Sequence, residues 1–321
     1  MRRYFDMLAP AKLSPSCMCD AALCCALAVT DFSMTYMGPV YVLVGMALIL
    51  GVSCLYLMAI FMPVYASQGL PVAAAHLALG GFLLGNILFN YVLCIVTPPG
   101  TTAKSVREGY HLAAGMNVRF CKTCRRAKPS LTHHCHICKQ CVLRMDHHCP
   151  WVHNCVGFYN HRYFVLFIFY LCLGSLYAAV SMWNRLVGPY PLMQPRVGEA
   201  MILAFAISAS AAFALGVLFL WHCYLILTAQ STIDFLDNWK ERRLCAKEGL
   251  RWHNPHDHGL LANWKEAFDA QGRFWWIAWG LPSLRKKQGN AVQFVGSPTP
   301  PLYRGLPVSS SARSDDIDSM V

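Results

Sequence analysis

Four stretches of the chain carry no Asp, Glu, Lys or Arg: Val40–Met62, Val72–Val96, Phe164–Trp183 and Ala200–Thr228. A helix rises about 1.5 Å per residue, so roughly 20 apolar residues cross the roughly 30 Å of bilayer hydrocarbon. Each stretch meets that length. Four buried helices of a soluble core are the alternative, but soluble helices of this length carry a polar face. The pattern therefore predicts four transmembrane helices.

The polar segments between them are unequal. Of the 27 Lys and Arg, 3 fall in residues 1–39, none in 63–71, 10 in 97–163, 2 in 184–199 and 12 in 229–321. Basic segments stay cytoplasmic, so the N-terminus, the 97–163 segment and the C-terminus are expected in the cytosol, and the two short links in the lumen. Composition agrees: the chain is 56% hydrophobic and 13% charged, against about 25% charged in an ordinary soluble domain. The net charge of +11 then reads as topology plus attraction to anionic lipid. Nothing resembles a module that reads nucleic-acid bases. Arg2 and Arg3 open the chain, but Asp20 interrupts residues 13–30 and no cleaved signal peptide is predicted. Cys17, Cys19, Cys24 and Cys25 read as small residues, or as lipidation sites near the membrane.

Seven of the 16 cysteines lie between positions 121 and 155. In a reducing compartment, clustered C-x-x-C pairs favour metal over disulfides. Cys121, Cys124, His134 and Cys141 are spaced C-x2-C-x9-H-x6-C, and Cys135, Cys138, His148 and Cys155 repeat that spacing 14 residues later. Three thiolates and one imidazole suit a closed, structural zinc site. An all-cysteine site from Cys121, Cys124, Cys135 and Cys138 is the other pairing, and it leaves the repeat unexplained. Lys122, Arg125, Arg126, Lys128, Lys139 and Arg144 leave this segment little to bury, so metal would supply its folding energy. Short strands or knuckles are expected around each ion.

Cys149 begins a third repeat that stops, because Val152 stands where its second thiol would be. It is therefore a thiol outside both ligand sets. His147, two residues before it, can take its proton; Asp146 can hold the imidazole tautomer; Arg144 adds positive charge. Cys149 as a spare or metal-bound thiol is the competing reading. The third span starts at Phe164, so a reactive thiol here would lie at the cytosolic membrane surface, within reach of an acyl chain and of a polar carrier.

The stretch CKTCRRAKPSLTHHCHICKQCVLRMDHHCPWVHNCVGFYNHRYF resembles the cysteine-rich domain of the DHHC protein S-acyltransferases (palmitoyltransferases). It meets C-x2-C-x9-HC-x2-C-x2-C-x4-DHHC-x5-C-x4-N-x3-F at every position, through Asn160 and Phe164. The resemblance covers roughly residues 40–280. Thr97–Gly100 and Asn254–Gly259 look most like the Abl-philin branch, an endomembrane group. The resemblance implies zinc at both ligand sets, Cys149 as nucleophile, His147 as its base and Asp146 as the residue orienting that base. It implies long-chain acyl-CoA such as palmitoyl-CoA as donor, Lys128 and His133 against its phosphates, and cytosolic cysteines of membrane-associated proteins as acceptors. It further implies residence in the endoplasmic reticulum or Golgi. Three positions depart from the family pattern: Leu131 replaces an Arg, Pro98-Pro99-Gly100 an Asp-Pro-Gly, and Ser231-Thr232-Ile233-Asp234 a Thr-Thr-x-Glu. The acyl chain is expected among the four spans, its far end near Gly174, about three turns into the third span.

The expected fold is thus a polytopic α-helical membrane protein: segment 1–39, spans within 40–96, a cytosolic two-zinc domain at 97–163, spans within 164–228, a cytosolic segment 229–287 and a disordered tail 288–321. A zinc-domain scaffold without catalysis is the rival, opposed by the intact Asp146, His147 and Cys149. A metal transporter is opposed by spans whose only ionisable imidazoles are His76 and His222. Residues 272–287 join Trp275, Trp276 and Trp279 to Arg285, Lys286 and Lys287, which suits an interfacial helix or a packed segment. Ser319-Met320-Val321 could extend the edge of a PDZ-type sheet.

Overall fold

The computed structural model of the protein describes residue 29 and residues 32–102, 119–129, 131–188, 195–285 and 287. Cys17, Cys19, Cys24 and Cys25 and the tail 288–321, with the PDZ-type ending, lie outside the described residues.

Four helices are long and apolar enough to cross a membrane: Gly38–Gln68, Leu70–Val96, His161–Val187 and Val197–Leu227. The first comprises α1 (Gly38–Tyr56), a π turn (Leu57–Phe61) and α2 (Met62–Gln68). Pro63 has no N–H for the Ala59 carbonyl, and the wider turn accommodates that loss. α3 (Leu70–Val96) follows after Gly69 alone. The 63–71 link expected from charge is therefore mostly helix. Pro63 and Pro71 sit in first turns, where a missing N–H is tolerated, and Gly69 makes the break at φ 81. α4 (His161–Val187) packs between α3 and α5 (Pro195–Leu227). It begins three residues before the expected Phe164. Outward residues such as Leu43, Phe213 and Leu220 are exposed, as lipid-facing surfaces require.

Among the described residues between α3 and α4 stand three two-stranded antiparallel hairpins: β1 (Arg119–Cys121) with β2 (Arg126–Lys128), β3 (His133–Cys135) with β4 (Gln140–Val142), and β5 (His147–Cys149) with β6 (Asn154–Val156). Each turn ends on a left-handed residue, Arg125, Lys139 and His153, 14 positions apart. The domain is tied to the spans by side chains that cap the end of α3. Asn154 Nδ2 donates to the carbonyls of Cys94, Ile95 and Thr97 at 3.0–3.2 Å. Those carbonyls have no partner inside their own helix. Asn160 holds the Cys155 carbonyl and the Gly157 N–H. Gly100, at φ 97, lies so close to Tyr159 that a Cβ would approach its ring to 2.9 Å.

After α5 the chain turns into α6 (Thr232–Lys247), whose start is a capping box: Asp234 N–H donates to Ser231 Oγ and Ser231 N–H to Asp234 Oδ2. Asn254 and Asn263 cap the end of α5 through the Thr228 and Leu227 carbonyls. α7 (Leu260–Phe268) packs on α4 and α5. The 272–287 segment contains one short helix, α8 (Trp275–Ala278). Trp279 packs among Phe169, Trp264 and Phe268, while Phe274 and Trp276 face outward. One side of this segment is packed, and the other is an exposed aromatic surface.

Candidate active site and zinc knuckles

The hairpins explain the interleaved repeat. The C-x-x-C turn of the first hairpin supplies Cys121 and Cys124, and the cross-strand pair His134–Cys141 of the second completes the set. The turn of the second hairpin supplies Cys135 and Cys138, and the cross-strand pair His148–Cys155 of the third completes the next. Thus each hairpin closes the site begun by the one before. In the first set the sulfurs lie 3.2–3.8 Å from His134 Nδ1; in the second they lie 3.3–3.8 Å from His148 Nδ1.

Those separations match a tetrahedron of zinc ligands, whose bonds run about 2.0–2.3 Å. Without a cation the arrangement is costly. Burial first, then the neighbouring Cys121 and Cys124 thiols, push Cys141 up to about 12. Hydrogen bonding to Cys135 is the main influence raising Cys138 to about 11. The described cysteines are all free of disulfides. The donor set fits zinc, which would cross-link the three hairpins. The all-cysteine pairing is not formed.

The third hairpin has no C-x-x-C turn. Its strand β5 ends at Cys149, and a 3-10 turn, Pro150–Val152, follows. Cys149 is 6% exposed and belongs to the buried cluster around α3 and α4. His147 Nδ1 bonds Asp146 Oδ2 at 2.6 Å, which leaves Nε2 outside that bond, and Cys149 follows two residues on along β5, on the same side of the strand. Burial alone would lower the His147 pKa, but its bonds to Asp146 and Cys149 and their charges raise it to about 10. Burial likewise opposes the Asp146 charge, yet the His147 hydrogen bond and charge hold its carboxyl well below the usual range. Phe164 meets the His147 ring edge-on, centroids 5.1 Å apart, and so fixes its plane.

Cys149 and His147 open onto a cavity of about 700 Å³ among the four spans. Its wall is almost wholly hydrocarbon and includes Gly174, with Tyr56, His76 and Tyr177 also lining it. Those three join by hydrogen bonds of 2.6–2.8 Å, so His76 is a satisfied packing residue. Tyr91 braces the mouth: its OH donates to the Val42 and Trp151 carbonyls, and its ring stacks on Phe167 at 4.6 Å.

Comparison with known proteins agrees with this geometry. Residues 115–238 match the family described as DHHC palmitoyltransferase. Palmitoyltransferase ZDHHC16 of Mus musculus is 31% identical over 283 residues, covering 84% of this chain and 77% of its own. Palmitoyltransferase ZDHHC16B of Danio rerio is 28% identical over 304 residues, covering 82% and 78%. The probable protein S-acyltransferase 16 of Arabidopsis thaliana is 30% identical over 183 residues, covering 56% and 62%. The chain belongs to the DHHC palmitoyltransferase family. It is an integral membrane acyltransferase whose activity runs through a cysteine thioester.

In this DHHC acyltransferase, one residue outside the DHHC stretch, Thr232, completes the surroundings of Asp146. Thr232 donates its N–H to Oδ1 at 2.7 Å and its hydroxyl to Oδ2 at 3.0 Å. The sequence signal was local, the Ser231-x-x-Asp234 capping box; the contact to Asp146 spans 86 positions. Asp234 also faces His133 Nε2 at 3.8 Å. Lys128 ends β2 opposite Arg119, and His133 starts β3 opposite Val142. The Arg144 guanidinium bonds Glu266 of α7 at 2.7 Å.

Proposed function

We propose that the protein is an S-palmitoyltransferase that moves a long-chain acyl group from acyl-CoA, through a thioester on Cys149, to cytosolic cysteines of membrane-associated proteins. The carrying observation is Cys149 itself. It is a thiol left out of both metal sets, held beside a His147–Asp146 pair at the mouth of an apolar cavity.

The chemistry balances within these groups. His147 Nε2 takes the Cys149 thiol proton, and the thiolate attacks the acyl carbonyl of acyl-CoA. The carbon–sulfur bond to coenzyme A breaks, and the leaving thiolate takes the proton from His147. An acceptor cysteine next gives its proton to His147 and attacks the Cys149 thioester; Cys149 leaves as thiolate and recovers that proton. Splitting the transfer in two is nucleophilic catalysis. Thioester exchange is close to energy-neutral, so positioning and an activated thiol carry the rate. Asp146, fixed by Thr232, keeps the proton on Nδ1 and leaves Nε2 as the base.

Chain length follows from the cavity. From Phe164 to Gly174 α4 rises about 15 Å, half of the roughly 30 Å hydrocarbon core and so the reach of one lipid chain. A Cβ at Gly174 would come within 2.8 Å of Ile87 Cδ1, so the glycine keeps that part of the cavity open. Each buried methylene contributes about 0.8 kcal/mol, which favours palmitoyl and longer donors over short ones. Lys128 and His133 are the proposed contacts to coenzyme A phosphates, with Leu131 supplying none. The cytosolic side of both termini, placement in the Abl-philin branch, residence in endoplasmic reticulum or Golgi, and a PDZ-type partner for Val321 complete the reading. Retained partner binding after deletion of Val321 would remove the last of these.

The test is incubation of the purified, detergent-solubilised protein with radiolabelled palmitoyl-CoA. Hydroxylamine-labile label on the wild type and none on Cys149→Ser is expected. Equal labelling of both proteins rejects Cys149 as nucleophile.

A further inference from the structure

Two imidazoles beside the nucleophile have no part in the transfer steps. His161 begins α4, and His222 lies in the last turns of α5. With Asp146 they offer three ligand atoms that all lie within 4.8 Å of one another. Asp146 and His222 are each 1% exposed. The His161 and His222 rings lie 5.8 Å apart between centroids, and His222 meets Phe164 edge-on at 5.1 Å. Packing alone does not call for these residues. A phenyl ring packs as well and buries no polar atom, whereas His222 Nδ1 is buried without a hydrogen-bond partner. Buried polar atoms without partners are costly and uncommon.

Asp146 has one acceptor position left. Its carboxylate offers about four lone-pair sites. Thr232 N–H uses one on Oδ1; the Thr232 hydroxyl and His147 use two on Oδ2. The remaining site on Oδ1 can bind a cation. Two positive groups stand nearby. Arg144 is paired with Glu266. Lys287 stands over the Phe158 ring, and burial lowers its ammonium pKa to about 7.

We propose that Asp146, His161 and His222 form a third metal site, which binds one Zn²⁺ reversibly and thereby inhibits acyl transfer. Two imidazole nitrogens and one carboxylate oxygen are a zinc donor set with an open fourth position. Bonds of about 2.0–2.1 Å in a tetrahedron set the ligand atoms roughly 3.3 Å apart, so the three side chains need only close inward. Absence of thiolate ligands makes this ion exchangeable where the two structural ions are not. Closing inward onto the ion draws the Asp146 carboxylate off the 2.6 Å bond that orients the His147 ring, and the His222 ring holding the ion lies 6.3 Å from that ring. His147 is then no longer aimed at the Cys149 thiol. The inhibitory half of the proposal rests on the reading of His147 as base and Asp146 as its orienting partner; the binding half does not.

The test uses the full-length protein in detergent with its two structural zinc ions in place, titrated with buffered free zinc. Expected are a third bound equivalent, a loss of at least tenfold in hydroxylamine-labile autoacylation, and recovery on brief treatment with a mild chelator. His161→Phe and His222→Phe keep the ring packing; each should stop at two equivalents and keep its autoacylation in zinc. Cobalt added to the wild type gives a reading that needs no variant. A third cobalt held by nitrogen and oxygen lacks the strong thiolate charge-transfer absorption that a metal on Cys149 would show. No third equivalent, a third cobalt with thiolate absorption, or equal binding by both Phe variants overturns the site. A third equivalent that leaves autoacylation unchanged overturns the inhibition and leaves the catalytic assignment to its own test.

Discussion

The chain contains the tripeptide His-His-Cys twice on equivalent strands, His133–Cys135 on β3 and His147–Cys149 on β5. In both, the middle histidine closes the zinc site begun by the previous hairpin. The cysteines then part company. Cys135 is followed by Cys138, and the turn supplies two ligands of a zinc donor set. Cys149 is followed by Pro150, Trp151 and Val152, and the thiol faces the spans. The first histidines differ as well. His133 has Thr132 before it and Asp234 at 3.8 Å, while His147 has Asp146 bonded at 2.6 Å. On the proposed reading, one backbone unit serves as a zinc knuckle or as a nucleophile mount, according to three or four side chains. Metal in the first two hairpins would make the third rigid.

The largest effects should separate the two cysteines. Cys149→Ser should abolish acyl-enzyme and transfer while retaining two zinc ions and an unchanged melting temperature. Cys135→Ser should lose one zinc and unfold the domain, since structural zinc sites contribute about 10 kcal/mol or more. Zinc content and thermal unfolding of both variants check this. Removing both ions with a strong chelator should abolish activity and collapse the hairpins, read by circular dichroism and by proteolysis between residues 119 and 156. Activity persisting in zinc-free protein would break the comparison.

Asp146→Asn should keep zinc yet lower the acylation rate by about 10²–10⁴, the range for a misoriented or missing acid–base partner. The matching change on the first strand, Thr132→Val, touches no reacting group and should leave the rate of folded protein within a fewfold. Thr232→Val removes a hydroxyl from a buried carboxylate and keeps the backbone bond. Hydrogen bonds to charged groups are worth about 1.5–3 kcal/mol, so a loss of roughly 10- to 100-fold is expected in single-turnover acylation, with zinc content unchanged. Gly174→Phe should have the smallest effect on rate but shift the donor preference toward shorter chains. A chain-length profile across saturated acyl-CoAs reads it; an unmoved profile would place the end of the chain elsewhere.

The four spans were legible because hydrocarbon demands long uncharged runs, and the ligand sets because a 14-residue repeat is local. Cys149 was legible by subtraction from that repeat. What sequence reasoning missed depends on contacts between distant segments. Thr232 reaches Asp146 across 86 positions. Glu266 bonds Arg144 across 122 positions. Tyr91 braces the cavity mouth through carbonyls of α1 and the Cys149 turn. His222 read as an isolated imidazole in an apolar helix, and only packing beside His161 and Asp146 gives it neighbours. Charge spacing suggested a link at 63–71, while helix continuation through Gln68 depends on proline tolerance in first turns.

Peptide mapping of the acyl adduct tests the central claim most directly. The wild-type protein is incubated briefly with palmitoyl-CoA, digested under acidic conditions, and analysed by mass spectrometry for thioester-linked chains. The account predicts a single early adduct on the peptide containing Cys149, with Cys135 unmodified and still holding zinc. An early adduct on Cys135 or on any other zinc-set cysteine, with Cys149 unmodified, would contradict it.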